Sequence, residues 1–129
     1  MLLFQSETAI KVCTFNCCSL NKNIDVVRKI TKCNNDLVFP QETLVPENRI
    51  GDLAFIEENY ECIGSPAVYS EKALSSCSGR CEGGLACMWP KNVHFKIDNI
   101  KIRKDFIVMS ILYNGVIIGI VNLYIRSDL

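Results

Sequence analysis

Leu37-Val38-Phe39-Pro40-Gln41-Glu42-Thr43 is a short apolar run that closes on a carboxylate. A run of this length bounded by polar residues has the form of a buried strand. Glu42 at its end places a carboxylate at the rim of a sheet, where α/β proteins keep their ligands. Upstream, Ile10 to Asn16 alternates, with Ile10, Val12, Thr14 and Asn16 on one face and Cys13 and Phe15 on the other. Between the two strands, Leu20, Ile24, Val27, Ile30 and Cys33 recur at spacings of three and four, a helical stripe that Asn34-Asn35 ends. Strand, helix and strand in this length make a βαβ crossover, so the two strands run parallel and adjacent. Asn16 and Glu42 therefore share one sheet rim, at the C-terminal ends of neighbouring strands. Taken singly, each has a plain structural reading: an Asn that ends a strand and a Glu solvated in a turn.

Downstream, Pro46-Glu47 opens a second predicted helix with the apolar stripe Ile50, Leu53, Ile56 and Tyr60. A short strand is expected at Tyr60 to Gly64, then a Ser-, Gly- and Cys-rich loop over residues 65–82. Further strands are expected at Gly83 to Trp89, Val93 to Lys101, Phe106 to Tyr113 and Val116 to Ile125. The last two are apolar at nearly every position, the pattern of strands buried on both faces. The two helices can cover one face of such a sheet, and nothing in the chain is obviously available for the other. Phe106 to Ile125 is also 20 residues without a charge, long enough to cross a bilayer. Asn114-Gly115 near its middle is a strong hairpin signal, and Ser110, Asn114 and Asn122 would be costly in lipid. A soluble β-hairpin is the favoured reading, with a membrane hairpin as the remaining alternative.

Size and charge bound the function. A chain of 129 residues is one domain, with residues 1–9 read as a leader and 10–129 as the folded unit. Basic and acidic residues number 14 each, so there is no global electrostatic footprint for nucleic acid. A DNA contact would come from a local patch such as Lys96, Lys101, Arg103 and Lys104, which taken alone reads as solvated strand edges. The sequence has eight cysteines, but Met1-Leu2-Leu3-Phe4 runs straight into Gln5, Ser6 and Glu7, too short for a signal peptide. Reduced thiols in an intracellular protein, nuclear or cytoplasmic, are expected rather than a disulfide framework. Cys77 and Cys81 could supply two zinc ligands, but Cys62 and Cys87 lack finger spacing and His94 is the only histidine.

Four motifs then stand in order: Thr14-Phe15-Asn16-Cys17-Cys18-Ser19-Leu20, Gln41-Glu42-Thr43, Gly79-Arg80-Cys81-Glu82-Gly83-Gly84-Leu85-Ala86, and Val121-Asn122-Leu123-Tyr124. Together they resemble the N-terminal half of the endonuclease/exonuclease/phosphatase family, in particular the apurinic-like endonuclease domain of LINE-type non-LTR retrotransposons. The resemblance covers roughly residues 10 to 128. It implies an α/β fold: a mixed, mainly antiparallel sheet with helices on one face, half of a four-layer DNase I-like sandwich. It implies Mg²⁺-dependent phosphodiester hydrolysis of DNA, with Mn²⁺ as a possible substitute. Glu42 would be the metal ligand with Asn16 beside it, and Tyr124 would hydrogen-bond the scissile phosphate. Asn16, Glu42 and Tyr124 form the catalytic set, and Asn122 and Arg126 join Tyr124 on the substrate side.

The sequence departs from the family pattern at Pro40, where an apolar ladder donor is usual, and at Arg126, where Pro usually follows Tyr-x. The 129 residues contain no Gly-Asp-x-Asn or Ser-Asp-His motif. Asp128 stands a residue from the end, and His94 lies in the wrong half and context. The expected function is an endonuclease-like retrotransposon fragment, inactive alone. The alternative is a domesticated interaction module whose uncovered sheet face docks a partner or a second copy.

Overall fold

The structure, a computed structural model, describes residues 9–33, 35–69 and 81–125. Strand β1 (Val12–Asn16) and strand β2 (Leu37–Gln41) run parallel, in register from Val12 opposite Leu37 to Asn16 opposite Gln41. Helix α1 (Ile24–Thr31) joins them, with Val27 and Thr31 buried on its inner side. This is the crossover that the strand–helix–strand spacing predicts. Pro40 sits inside β2 between β1 and β6, a central position where it contributes no N–H to either ladder.

The second predicted helix forms as a 3₁₀ segment over Glu47–Phe55, with Pro46 outside it in extended backbone (φ −73, ψ 167). The reason lies in its spacing. Ile50, Leu53 and Ile56 repeat every three residues, the period at which a 3₁₀ helix stacks side chains. Tyr60, the fourth member of the expected stripe, belongs to strand β3 (Tyr60–Ser65), and its hydroxyl reaches Thr31 O at 2.9 Å.

The remaining strands are β4 (Val68–Tyr69), β5 (Cys81–Glu82), β6 (Leu85–Pro90), β7 (Lys96–Arg103), β8 (Phe106–Tyr113) and β9 (Val116–Leu123). They do not join one sheet. A four-stranded sheet has the order β1-β2-β6-β3, a three-stranded antiparallel sheet the order β7-β8-β9, and β4 pairs with β5. On one face of the larger sheet, α1 and the 3₁₀ segment enclose Val27, Val38, Leu53, Ile56, Ala86 and Met88. On its other face the three-stranded sheet closes over Leu37, Phe39, Leu85, Cys87, Ile107 and Met109. The chain's own hairpin thus covers the second face of the larger sheet, and the outer face of the hairpin, with Leu112, Ile117, Val121 and Leu123, is left exposed. Inward positions of β8 (Ile107, Met109, Ile111, Tyr113) are buried, whereas outward Phe106 and Leu112 are exposed.

The turn between β8 and β9 has Asn114 at φ 51 and Gly115 at φ 77, the left-handed pair of a type I′ hairpin. Phe106 to Ile125 is therefore a β-hairpin and its exit. Among the described residues no helix is long and apolar enough to cross a membrane. The overall class is mixed α/β with mostly antiparallel strands and few helices, as expected from the sequence. The leader and most of the Cys-rich loop lie outside the described residues.

Candidate functional site

The rim of the four-stranded sheet is built by backbone hydrogen bonds that continue past the ends of β1 and β2. Cys17 N donates to Gln41 O, Ser19 N to Glu42 O and Leu20 N to Thr43 O, each at 2.9 Å. On the opposite side, Thr43 N donates to Gly84 O at 3.2 Å and Leu44 N to Gly83 O at 3.0 Å. The segment 42–44 is gripped between two turns, and its own backbone is unusual. Glu42 and Leu44 have φ of 54 and 56, and Cys18 and Ser19 across the rim have φ of 48 and 93. Left-handed backbone at four non-glycine residues is costly, and such strain concentrates where a structure fixes functional groups.

Gly83 and Gly84 are required by the same construction. Both have positive φ, and a Cβ on Gly84 would fall 2.3 Å from the hydroxyl oxygen of Thr43, a buried side chain. The Gly-rich approach to β6 therefore exists to let the Gln-Glu-Thr segment close against it.

From the other sheet, the end of β9 crosses to this rim. Asn122 and Tyr124 are two apart and so lie on the same inward face. Asn122 is buried, donating from Nδ2 to Ala86 O at 3.1 Å and accepting from Gln41 Nε2 at 3.2 Å. Tyr124 is held by its N–H on Asp105 O at 2.9 Å. Its hydroxyl donates to Glu42 Oε1 at 3.1 Å. The fold thus joins Glu42 with Tyr124 and Gln41 with Asn122 across the two sheets.

Asn16 occupies the same rim one strand over, level with Gln41. Its Oδ1 accepts from Cys18 N at 3.0 Å and from the Cys18 thiol at 3.2 Å, a local Asx turn. Arg126 lies outside the described residues. Sequence reading overlooked Gln41 as the residue that orients Asn122, and Thr43 as the buried anchor of the turn. The adjacency of Gln41 and Thr43 to Glu42 was the only signal available.

Two buried thiols of the site, Cys17 and Cys87, are not nucleophiles near neutrality. Burial pushes the Cys17 thiol up to about 11, and it donates to Glu42 O at 3.5 Å. Burial likewise takes Cys87, which faces Asn122, to about 12. His94 belongs elsewhere. It packs edge-on against Phe95 and Tyr113, with ring centroids at 5.8 and 5.3 Å. Tyr113 ends β8 at the hairpin turn, whereas Tyr124 follows the opposite end of β9, about 23 Å away along an eight-residue strand. Among the described residues, no group of three or more His, Cys, Asp or Glu could hold a metal ion. What the rim offers is one half-buried carboxylate, a phenol on it, and an amide beside it.

No protein-family profile matches the sequence, and no curated protein matches it. Solved structures do. An AP endonuclease from Archaeoglobus fulgidus superposes with a TM-score of 0.59 at 16% identity, covering 90% of this chain and 41% of that one. The 3′ phosphatase NExo from Neisseria, bound to product DNA hairpin, gives 0.51 at 23% identity with the same two coverages. The 3′-5′ exonuclease NExo from Neisseria meningitidis gives 0.50 at 21% identity, covering 89% of this chain and 41% of that one. The chain spans about two-fifths of the length of these neighbours, and over that span it has the DNase I-like fold of AP endonucleases and exonuclease/phosphatases.

Proposed function

We propose that residues 10–129 are the N-terminal half of a Mg²⁺-dependent endonuclease domain of LINE-type non-LTR retrotransposon descent, acting in its parent family on DNA. The observation that carries this reading is the hydrogen bond from Tyr124 to Glu42 at 3.1 Å. The two residues come from different sheets and from motifs 82 positions apart. A phenol and a carboxylate meeting at a strained sheet rim have little purpose in packing, since neither is fully buried.

The donor set suits a hard divalent ion. Mg²⁺ keeps several waters and is held by one or two carboxylates, so Glu42 would hold it, or Mn²⁺ in its place, with Asn16 steadying the surrounding polar shell. When bound, such an ion polarises a phosphate oxygen as a Lewis acid. Tyr124 would turn its O–H from Glu42 to a phosphate oxygen, and so stabilise charge developing there. Asn122 is a positioning residue: through Gln41 and Ala86 O it fixes the end of β9 from which Tyr124 projects. Arg126 would add a cation for binding the phosphate backbone of the substrate.

The 129 residues contain no Gly-Asp-x-Asn or Ser-Asp-His motif to supply a base, and His94 packs against Tyr113 at the far end of the β8–β9 hairpin. The 129 residues alone are therefore inactive in this reading, because positioning without a proton acceptor supplies little rate. Supercoiled plasmid incubated with the purified chain and Mg²⁺, beside a chelator control and Glu42→Ala, tests this. The expected result is no nicking in any sample. Metal-dependent nicking abolished by Glu42→Ala would show the half-site to be competent and overturn the inactivity. A second reading, an interaction module, is favoured by the apolar outer face of β8 and β9.

A further inference from the structure

The fold divides the cations that the sequence spreads over Lys96, Lys101, Arg103 and Lys104. Lys96 stands opposite Leu112, close to the hairpin turn and to the contact of His94 with Tyr113. Lys101 and Arg103 stand at the other end of β7, opposite Val108 and Phe106, and Lys104 with Asp105 makes the turn into β8. Residues paired across a ladder share a face. Ile102, opposite buried Ile107, takes the inner one, so Lys101 and Arg103 point outward. Two residues along a strand sets them about 7 Å apart. Both are exposed, as is Lys104. Lys101 to Asp105 thus carries three cations and one carboxylate in a chain whose net charge is zero.

This turn is fastened to the rim of the candidate site at two points. Asn16, Gln41, Leu85 and Ser65 stand level across strands β1, β2, β6 and β3. Ser65, at the end of that row, is fully buried and sets its hydroxyl against the carbonyls of Arg103 and Lys104, the latter at 2.9 Å. A buried hydroxyl is costly unless it is bonded, and this one is spent on the turn. Next to Lys104, Asp105 O accepts from the N–H of Tyr124 at 2.9 Å, and Tyr124 in turn reaches Glu42 through its hydroxyl. The backbone of the turn is held while its cationic side chains stay in solvent. Charge that serves solubility needs no fixed place. These cations have one, beside Tyr124.

We propose that the β7–β8 turn is a phosphate-gripping tip, with Lys101, Arg103 and Lys104 holding the backbone of duplex DNA laid across the rim. It rests on the reading of the rim as a DNA site. Charge selects the partner: a polyanion with closely spaced phosphates meets several of these cations at once and releases counterions as it does. Arg103 presents a planar fork to a phosphate, and the two lysines act as point charges. Contacts of this kind position the duplex and carry no base preference.

Fluorescence anisotropy of a short labelled DNA duplex, titrated with the chain at several salt concentrations and with a chelator present, tests the tip apart from any metal. Three cations on phosphates are expected to contribute about −2.7 to the slope of log K against log salt, which weakens binding about 40-fold between about 50 and 200 mM. Arg103→Ala/Lys104→Ala is expected to make the slope shallower by about 1.8. Lys29→Ala/Lys32→Ala removes the same charge from the end of α1 remote from the rim and is expected to keep the wild-type slope, as is Lys96→Ala. Far-UV circular dichroism confirms that each variant is folded, and Lys101→Ala/Lys104→Ala stands in for the first if it is not. Equal slopes in the tip variant and wild type, an equal change in Lys29→Ala/Lys32→Ala, or no binding by the folded wild type at low salt would each overturn the proposal. Glu42→Gln is expected to bind the duplex as wild type does. Mn²⁺ binding at Glu42 is read without DNA, so failure of the tip and failure of the metal site are told apart.

Discussion

Gly84→Ala is the sharpest single test of how the candidate site is built. The residue has φ +94, a backbone that L side chains rarely adopt. Holding alanine there costs about 1–3 kcal/mol. The added methyl would also sit 2.3 Å from Thr43 Oγ1 and 3.3 Å from the backbone nitrogens of Leu44 and Ala67. Thr43 is buried and β-branched, so its side chain has few places to go, and overpacking of this kind costs about 1–3 kcal/mol more. A total loss of about 2–6 kcal/mol is a large part of the ~5–15 kcal/mol that holds a domain together. With a urea slope of about 1–3 kcal/mol per molar, the unfolding midpoint should fall by on the order of 1–2 M. Gly51→Ala is the matched control. Nothing lies within 4 Å of its Cβ position and it is exposed in the 3₁₀ segment. It should be neutral or gain about 0.5–1 kcal/mol. Equal midpoints for Gly84→Ala and wild type, or equal losses for the two variants, would refute the claim that Gly84 exists to seat Thr43.

Asn122→Ala should destabilise by about 1–3 kcal/mol, because Ala86 O and the Gln41 amide lose a buried partner; denaturant melts check this. Tyr60→Phe should cost about 1 kcal/mol, since its hydroxyl bonds Thr31 O and Asn35 O and ties β3 to the end of α1. Alkaline pH should weaken the fold. Burial raises Cys62 and Cys87 from 9.0 to about 12, so above pH 9 the unfolded thiols lose protons that the folded ones keep. Stability is therefore full below pH 9 and falls as pH rises toward 12. A thermal midpoint that does not fall across that window, or falls equally in a Cys62→Ala/Cys87→Ala variant, would count against buried neutral thiols.

The fold was most legible where sequence pattern and local geometry agree. The βαβ unit follows from one stripe and two short runs, and Asn114-Gly115 placed the β8–β9 hairpin with β8 bounded at Phe106 and Tyr113 as read. The division into two sheets was not legible. Apolar residues at nearly every position of β8 and β9 say that both faces are greasy, but not which one meets β2 and β6. The second helix misled because Ile50, Leu53 and Ile56 suit either helix type, and only their uniform spacing of three separates them. At the site, Glu42 and Tyr124 were visible as motif residues. Their contact depends on the stacking of the sheets, and its anchors on Gln41, Thr43 and Gly84 as neighbours in space. Left-handed backbone at Glu42 and Leu44 has no sequence signature, because neither residue type favours it.

The central claim, that Glu42 is the metal-holding carboxylate of a DNase I-like half-site, is tested most directly by Mn²⁺ binding. The free Mn²⁺ signal in electron paramagnetic resonance would be titrated with wild type, Glu42→Gln and Tyr124→Phe. Wild type and Tyr124→Phe are expected to bind Mn²⁺ and Glu42→Gln to lose it, with all three folded. Equal binding by Glu42→Gln and wild type, or no binding by the folded wild type, would contradict it.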